Sequence, residues 1–277
     1  MKSLILGMLA ETAIHPGAGQ SAGFVDLPVA REAATDYPVI VGSSLKGALR
    51  DNGRRLVDKT RIDQVFGQQE NAGNLLVSDA RLVLLPVRSL TGHYRWLTCP
   101  HLLTRLARDL ARGQQAPPAT ADTAYGSLVS DQYRALGQGT PDSYIFLEER
   151  QFQLAGSVPQ PIIDTLATLF ADAATAKTLA ERLVVVHDDD FSWFARYGLS
   201  VAARNVLDDQ TKTSKNLWYE ETIPADSLFY SLLAERRDGA LTAVKEIFAR
   251  RPYLQVGGNE TVGQGWFAIE LLEGGAQ

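Results

Sequence analysis

Pro38-Val39-Ile40-Val41-Gly42-Ser43-Ser44-Leu45-Lys46-Gly47-Ala48-Leu49-Arg50 carries an extended piece straight into a helix. Val39 to Val41 is apolar and β-branched. Gly42-Ser43-Ser44 then offers a hydroxyl N-cap, and the spacing predicts a helix from Leu45 to Val57. Leu45, Ala48, Leu49, Leu56 and Val57 form its inward side, while Lys46, Arg50 and Arg54, four residues apart, line up as a basic stripe. From Lys46 to Arg61 six basic residues stand against Asp51 and Asp58, a net +4. With −5 for the whole chain, the remainder carries −9. Such a chain does not coat nucleic acid as a polycation, because that needs phosphates neutralised by Lys and Arg over a broad surface. A nucleic-acid site must be local, and this helix is where to place it.

Outward from the helix, the patterns alternate between strand and helix without regular βαβ order. Leu4 to Thr12 predicts a buried first strand. Its short apolar run after Lys2 is broken by Gly7, and no small-x-small cleavage pattern follows, so it does not read as a secretory signal. Ala13 to Tyr37 is a long loop with Gly17, Gly19, Gly23, Pro16 and Pro28, and loops of that length in compact domains are usually functional or disordered. Strands are expected at Asn74–Ser78, Arg81–Val87, Tyr144–Leu154, Leu183–Val186, Ser227–Ala234 and Trp266–Leu272. Helices are expected at His101–Ala111, Ile162–Leu183, Phe191–Tyr197 and Leu241–Arg250, and Gly113 to Thr140 reads as an insertion or mobile loop. Leu199–Leu207 and Leu217–Ile223 flank a polar tip, Asp208 to Asn216, as a projecting β-hairpin. The class is α+β. With 277 residues and 45% hydrophobic content the chain suits one elaborated domain or two. No apolar run approaches the roughly 18 residues of a membrane span. Cys99, the single cysteine, excludes an internal disulfide and fits a reducing compartment, the cytoplasm.

Three motifs imitate known chemistry. Ser43-Ser44-Leu45-Lys46, with Ser130-Asp131-Gln132 and Lys212-Thr213-Ser214, caricatures a serine acyl enzyme that uses Ser43 and Lys46, but Gln132 and Ser214 stand where Asn and Gly are needed. Gly257 to Gly265 has Walker-like glycine spacing without the phosphate-gripping lysine. It predicts a turn of close backbone approach whose amides could meet a phosphate or a neighbouring segment. His187-Asp188-Asp189-Asp190 suits the start of the following helix better than a metal site. In Trp218-Tyr219-Glu220-Glu221 strand alternation puts one aromatic in the core and lets one carboxylate face any given site.

His15-Pro16-Gly17-Ala18-Gly19, the segment from Gly23-Phe24-Val25-Asp26 to Arg31-Glu32, and Pro38 to Arg50 resemble one family when taken in order. They are joined by Asp79-Ala80-Arg81 to Pro86-Val87-Arg88, Thr98-Cys99-Pro100, Thr211-Lys212 to Leu217-Trp218-Tyr219-Glu220-Glu221, and Gly257 to Gly265. The family is the RAMP superfamily of CRISPR proteins, specifically subunit four of the Cmr complex, the repeated backbone subunit of type III-B effectors. The resemblance implies an α+β fold with a ferredoxin-like/RRM-like core, large insertions and a projecting β-hairpin thumb. As one elaborated domain over 1–277, the core would be about 1–111 and 224–277, the insertion about 112–198 and the thumb about 199–223.

It implies further that the chain binds guide RNA (crRNA), stacks head to tail with copies of itself beside other Cmr-type subunits, and acts as an endoribonuclease on complementary target RNA. The cofactor would be a divalent metal, Mg²⁺ or Mn²⁺. A helical stack requires heterologous interfaces. RNA cut by its own 2′-hydroxyl must bring that oxygen in line with the leaving 5′ oxygen, which a regular duplex prevents and splayed bases allow. One loop carboxylate can then orient or deprotonate the hydroxyl, or hold a hydrated ion. By the resemblance that residue is Asp26, catalytic and metal-holding. His15 is a second catalytic candidate, as proton donor or phosphate stabiliser, and Glu221 a third, supporting a metal from the thumb's base. Lys46 would grip guide phosphate, aided by Ser43 and Ser44 at the helix start. Arg50, Lys212 and Lys215 are electrostatic candidates, and Gly258, Asn259, Gly263 and Gln264 would contact RNA from the glycine-rich turn. The rival reading is a guide-binding scaffold without nuclease activity.

Overall fold

Ser3–Ala10 is apolar along nearly its whole length, as a strand buried on both faces must be, and it forms β1. The computed structural model describes residues 2–273 except Ala22, Leu56, Val57 and 114–124. After β1 come β2 (Val39–Ile40), α1 (Gly42–Arg54), α2 (Lys59–Phe66), β3 (Gly67–Gln68), β4 (Asn71–Ala72), β5 (Leu75–Val77), β6 (Ala80–Arg88), β7 (Tyr94–Thr98) and α3 (Pro100–Arg112). The middle of the chain forms β8 (Arg134–Leu136), β9 (Tyr144–Leu147), β10 (Arg150–Gly156), α4 (Gln160–Ala167), α5 (Ala173–Lys177), α6 (Leu179–Arg182), β11 (Leu183–Val186) and α7 (Asp188–Tyr197). The last part forms β12 (Ser200–Leu207), β13 (Ser214–Thr222), β14 (Leu228–Glu235), α8 (Ala240–Arg250), β15 (Tyr253–Gln255) and β16 (Trp266–Glu273).

One 12-stranded mixed sheet runs β15-β16-β1-β14-β6-β7-β11-β8-β10-β9, with β2 added on β6 and β5 on β14. β1 lies antiparallel between β14 (Gly7 opposite Tyr230) and β16 (Leu6 opposite Leu271). Its alternation sorts two cores. Leu4, Leu6 and Met8 pack with Leu45 and Leu49 of α1, Ile62 of α2, and Val244 and Ile247 of α8. Ile5 and Leu9 point the other way, to Leu103, Leu106 and Leu110 of α3 and Ile162 and Leu166 of α4. The result is helices on both faces of a sheet. Gly7 serves this packing, because a Cβ there would lie 2.4 Å from the carbonyl oxygen of Leu169.

β12 and β13 pair with each other, from Ser200 opposite Thr222 to Leu207 opposite Ser214, as a hairpin outside the large sheet whose exposed outer part projects beyond a root where Glu220 also bridges to Leu27. Its tip is organised by Asp208, whose Oδ1 accepts the N–H groups of Gln210 and Thr211 while Oδ2 pairs with Lys215 Nζ at 2.9 Å. The Lys215 hydrogen bond, then the two amides, hold that carboxyl down at about 2.

Several expectations need correction. α1 begins at Gly42, with Val41 as N-cap and no side-chain cap bond, so Ser43 and Ser44 sit inside its first turn. A distant residue takes the capping role: Gly42 N–H donates to Asp79 Oδ1 at 2.7 Å. Tyr144–Leu154 is two strands that turn at Glu148, whose φ is 50°. Ile162–Leu183 divides into α4, α5 and α6, with Asp172 capping α5 through Ala174 and Thr175 N–H. Within Gly113–Thr140, residues 114–124 lie outside the described residues, and β8 beyond them is a sheet strand between β11 and β10. The expected inward pair Leu56 and Val57 also falls outside the described residues. α2 and β7 had no counterpart in the sequence reading. Among the described residues no helix is long and apolar enough to cross a membrane.

Candidate functional site

The long loop after β1 is stitched onto the root of the hairpin. Ile14 and Ile223 exchange backbone hydrogen bonds at 2.9 Å, Ala30 N–H reaches Pro16 O at 2.7 Å, and Leu27 N–H reaches Tyr219 O at 3.1 Å. The loop thus runs alongside β13. Asp26 lies half-buried there, and its Oδ2 accepts the N–H of Tyr219 at 2.7 Å. Backbone, not side chain, positions this carboxylate.

His15 is buried, and its Nδ1 sits 2.8 Å from the carbonyl oxygen of Glu221. A carbonyl can only accept, so Nδ1 donates. The ring is held between Gly17 and Gly258, since a Cβ at either would come within 3.0 and 3.2 Å of it. Gly257, with φ 100°, lets the chain pass so close that a Cβ would meet His15 O at 2.8 Å. Gly258 N–H donates to that oxygen at 2.8 Å and Gly265 N–H to Ala13 O at 3.0 Å. The glycine-rich turn therefore spends these amides on the His15 loop.

Both carboxylates of the Trp218-Tyr219-Glu220-Glu221 stretch are buried, on opposite faces, and neither aromatic enters the core. The expectation of one core aromatic is thus corrected: at its root the hairpin is flanked by loop on one side and turn on the other, which bury the acids instead. Glu221 accepts Val29 N–H on Oε2 at 3.0 Å and Arg31 on Oε1 at 2.7 Å. Glu220 accepts from Arg204 and from Asn259 Nδ2, and Asn259 also donates to Gln264 Oε1 at 2.9 Å. Gly263, at φ 82°, closes the short 3-10 turn beyond Asn259.

α1 presents two grooves. Ser44 lines one of about 530 Å³ together with Pro16, Gly17, Gly258 and Arg251. Lys46 and Arg50 line another of about 290 Å³ together with Gln68, Asn71 and Arg236. Burial first, then the charges of Arg236 and Arg50, lower the Lys46 ammonium below the usual lysine value. Among the described residues no carboxylate pairs with Lys46, whereas Arg50 is held by Asp63 at 2.7 Å. Ser43 is exposed, outside the residues lining these grooves, and Lys212 and Lys215 stay at the hairpin tip. Asp26, His15, Glu221 and the Gly258–Gln264 turn thus come together at one hairpin root, and Ser44 joins Gly258 across the first groove. Arg31, Asp79 and Arg236 were missed as site residues. Arg31 belongs to the Gly23–Glu32 segment, but no spacing in the chain pairs it with Glu221.

The decoy elements disperse. Gln132 donates to Asp189, and Ser214 Oγ donates to Asn205 across the hairpin. His187 accepts Asp189 N–H as the N-cap of α7, while Asp188 accepts the N–H of His101 and Asp190 that of Tyr133.

Comparisons with known proteins cover almost the whole chain. The profile of the RAMP superfamily matches residues 8–268. The Pyrococcus furiosus protein named CRISPR system Cmr endoribonuclease Cmr4 is 34% identical over 295 residues, covering 99% of this chain and 97% of that protein. The CRISPR system CMR subunit Cmr4 of Saccharolobus solfataricus is 26% identical, covering 95% and 94%. The crystal structure of oligomeric Cmr4 from Pyrococcus furiosus superposes with a TM-score of 0.74 at 30% identity, over 99% and 98% of the two chains. A chain of the type III-B Cmr-beta complex bound to cognate target RNA, 22% identical, shares the fold with a TM-score of 0.79 over 98% and 97%. Matched along almost its entire length by superfamily and relative alike, this chain belongs to the RAMP superfamily, in its Cmr4 family.

Proposed function

We propose that this chain is an RNA-guided backbone subunit of a type III-B CRISPR effector in the cytoplasm, binding guide RNA and cleaving complementary target RNA in a reaction dependent on Mg²⁺ or Mn²⁺. The observation that carries this is the Asp26 carboxylate, pinned by Tyr219 N–H at the root of a projecting hairpin. Similarity to a Cmr4 endoribonuclease and to an oligomeric Cmr4 supports RNA cleavage and self-assembly. The strand order β16-β1-β14-β6, with α1 and α8 packed on one face, supports a ferredoxin-like/RRM-like core divided as expected around an insertion and a thumb.

Asp26 accepts one N–H and stays half-buried, so it can orient the 2′-hydroxyl beside the scissile phosphate and take its proton. His15 and Glu221 act as positioning residues: the first ties the loop to the hairpin and the turn, the second ties it to Arg31 and Val29. Asp26 would hold the metal as a largely hydrated ion, since Glu220 and Glu221 spend oxygens on N–H donors and the described residues hold no cluster of three or more metal-ligating side chains. Bound there, it would supply charge neutralisation at the phosphate. Lys46, set between Arg50 and Arg236, is the phosphate grip for the guide.

The test is the assembled complex on complementary RNA. Asp26→Asn keeps an acceptor for Tyr219 N–H and removes the charge. It should lower cleavage by about 10²- to 10⁴-fold with assembly and guide retention intact, and EDTA should stop the wild type until Mg²⁺ or Mn²⁺ is restored. Equal cutting by Asp26→Asn removes the assignment; guide binding without any wild-type cutting establishes the scaffold.

A further inference from the structure

Phe24, in the loop that carries Asp26, is 86% exposed, more than any other large apolar side chain among the described residues. Its ring stacks on that of Tyr219, with centroids 5.8 Å apart and planes within 21°. Tyr219 is itself 39% exposed, and its N–H is the donor that holds Asp26. Two rings and one carboxylate therefore form a single unit, joined by the Leu27–Tyr219 and Glu221–Leu27 backbone hydrogen bonds. Neither ring belongs to either core cluster. Leaving a phenylalanine in water forfeits the benefit of burial, and the two stacked, exposed rings offer a flat apolar face beside the acid.

We propose that Phe24 and Tyr219 form a stacking platform for the unpaired target nucleobase that borders the cut. This rests on the nuclease reading and goes beyond it by naming the part of the substrate that docks next to Asp26. In-line attack needs a nucleotide turned out of the duplex, and a splayed base returns to its stack unless something holds its face. An aromatic platform does so for every base, because each has a π-face, and it converts a transient geometry into a bound one. Both rings act as positioning residues, with Asp26 as the group that meets the hydroxyl. Purines stack more strongly than pyrimidines, so the platform also makes cutting faster beside a purine.

The experiment uses the assembled complex with Phe24→Ala, Phe24→Leu and Phe24→Trp under single turnover at saturating target. Cleavage should fall by about tenfold or more in the Ala and Leu variants, the range set by base–aromatic stacking, with target and guide affinity unchanged. Phe24→Trp should restore the rate, and the purine preference should vanish in Phe24→Ala. A target carrying 2-aminopurine at the nucleotide beside the cut should be quenched in an Asp26→Asn complex and bright when Phe24→Ala is added. Equal rates with equal fluorescence would overturn the platform while leaving the nuclease reading intact. Failure of Phe24→Ala and Phe24→Leu complexes to assemble would overturn it too, by assigning the ring to a subunit contact. If wild type does not cut, the nuclease reading falls, and the 2-aminopurine signal still decides whether a base docks on Phe24.

Discussion

Arg31 shows how much of the site rests on a single half-buried cation. It donates to Glu221, to the carbonyl of Asp36 at 2.9 Å and to that of Ala195 at 2.8 Å, so it joins the loop, the hairpin root and α7. Glu221→Gln leaves this guanidinium without its counter-charge in a largely buried setting. The variant should lose about 3 kcal/mol of stability, seen as a lower denaturant midpoint with unchanged slope, and should cut more slowly because the loop holding Asp26 loosens. An unchanged midpoint would show that the carbonyls alone satisfy Arg31. At Lys46 burial, then the neighbouring charges of Arg236 and Arg50, disfavour its charged form, and an approaching phosphate offsets the repulsion. Lys46→Ala should therefore weaken guide binding similarly for all guide sequences and reduce the salt dependence by about one counterion, measured by titration at several salt concentrations.

At the scale of elements the hairpin is the separable part. Beyond its root its strands pair only with each other, and Asp208 and Lys215 order the tip without help from the core. Replacing residues 209–215 with a short turn should leave guide affinity intact, while cuts in target RNA become slow or lose their regular spacing even with Asp26 present. Unchanged, evenly spaced cuts would place the wedge elsewhere. The hairpin was legible because its alternating residues and polar tip are local signals. α2, by contrast, is short and opens on Asp58, which accepts Arg61 N–H at 3.0 Å, and its apolar residues acquire meaning only once α1 and α8 lie across it.

Over the whole molecule, the loop after β1 is anchored to the second core layer through Glu32, which accepts from both terminal nitrogens of Arg105 on α3 at 2.6 and 2.7 Å. Burial pushes the Glu32 carboxyl up, but hydrogen bonds from Arg105 and Thr35 and the Arg105 charge outweigh it and leave the group below its ordinary value. A folded-state value depressed in this way contributes stability that is complete above the unfolded value and is lost as pH falls through the folded one. Glu32→Gln should flatten the acid limb of the stability curve below about pH 4.3 and change its slope little near neutrality. Thermal unfolding across pH 3 to 7 checks this, and parallel acid limbs for variant and wild type would show that other carboxylates set it.

The α+β class, the buried first strand, the hairpin with its polar tip, the basic helix face and, through ordered motifs, the family were all legible in the chain itself. Those properties reside in periodicity, charge and short spacing, which a linear chain carries. Folding alone establishes that Asp79 rather than Ser43 or Ser44 meets the start of α1, that Glu221 pairs with Arg31, that Arg236 stands beside Lys46, and that Phe24 stacks on Tyr219 next to the carboxylate. Each of those pairs joins residues 37 or more positions apart, brought together by the packing of the two cores and the stitching of loop to hairpin, and no local pattern specifies which distant partner a polar or aromatic side chain will find.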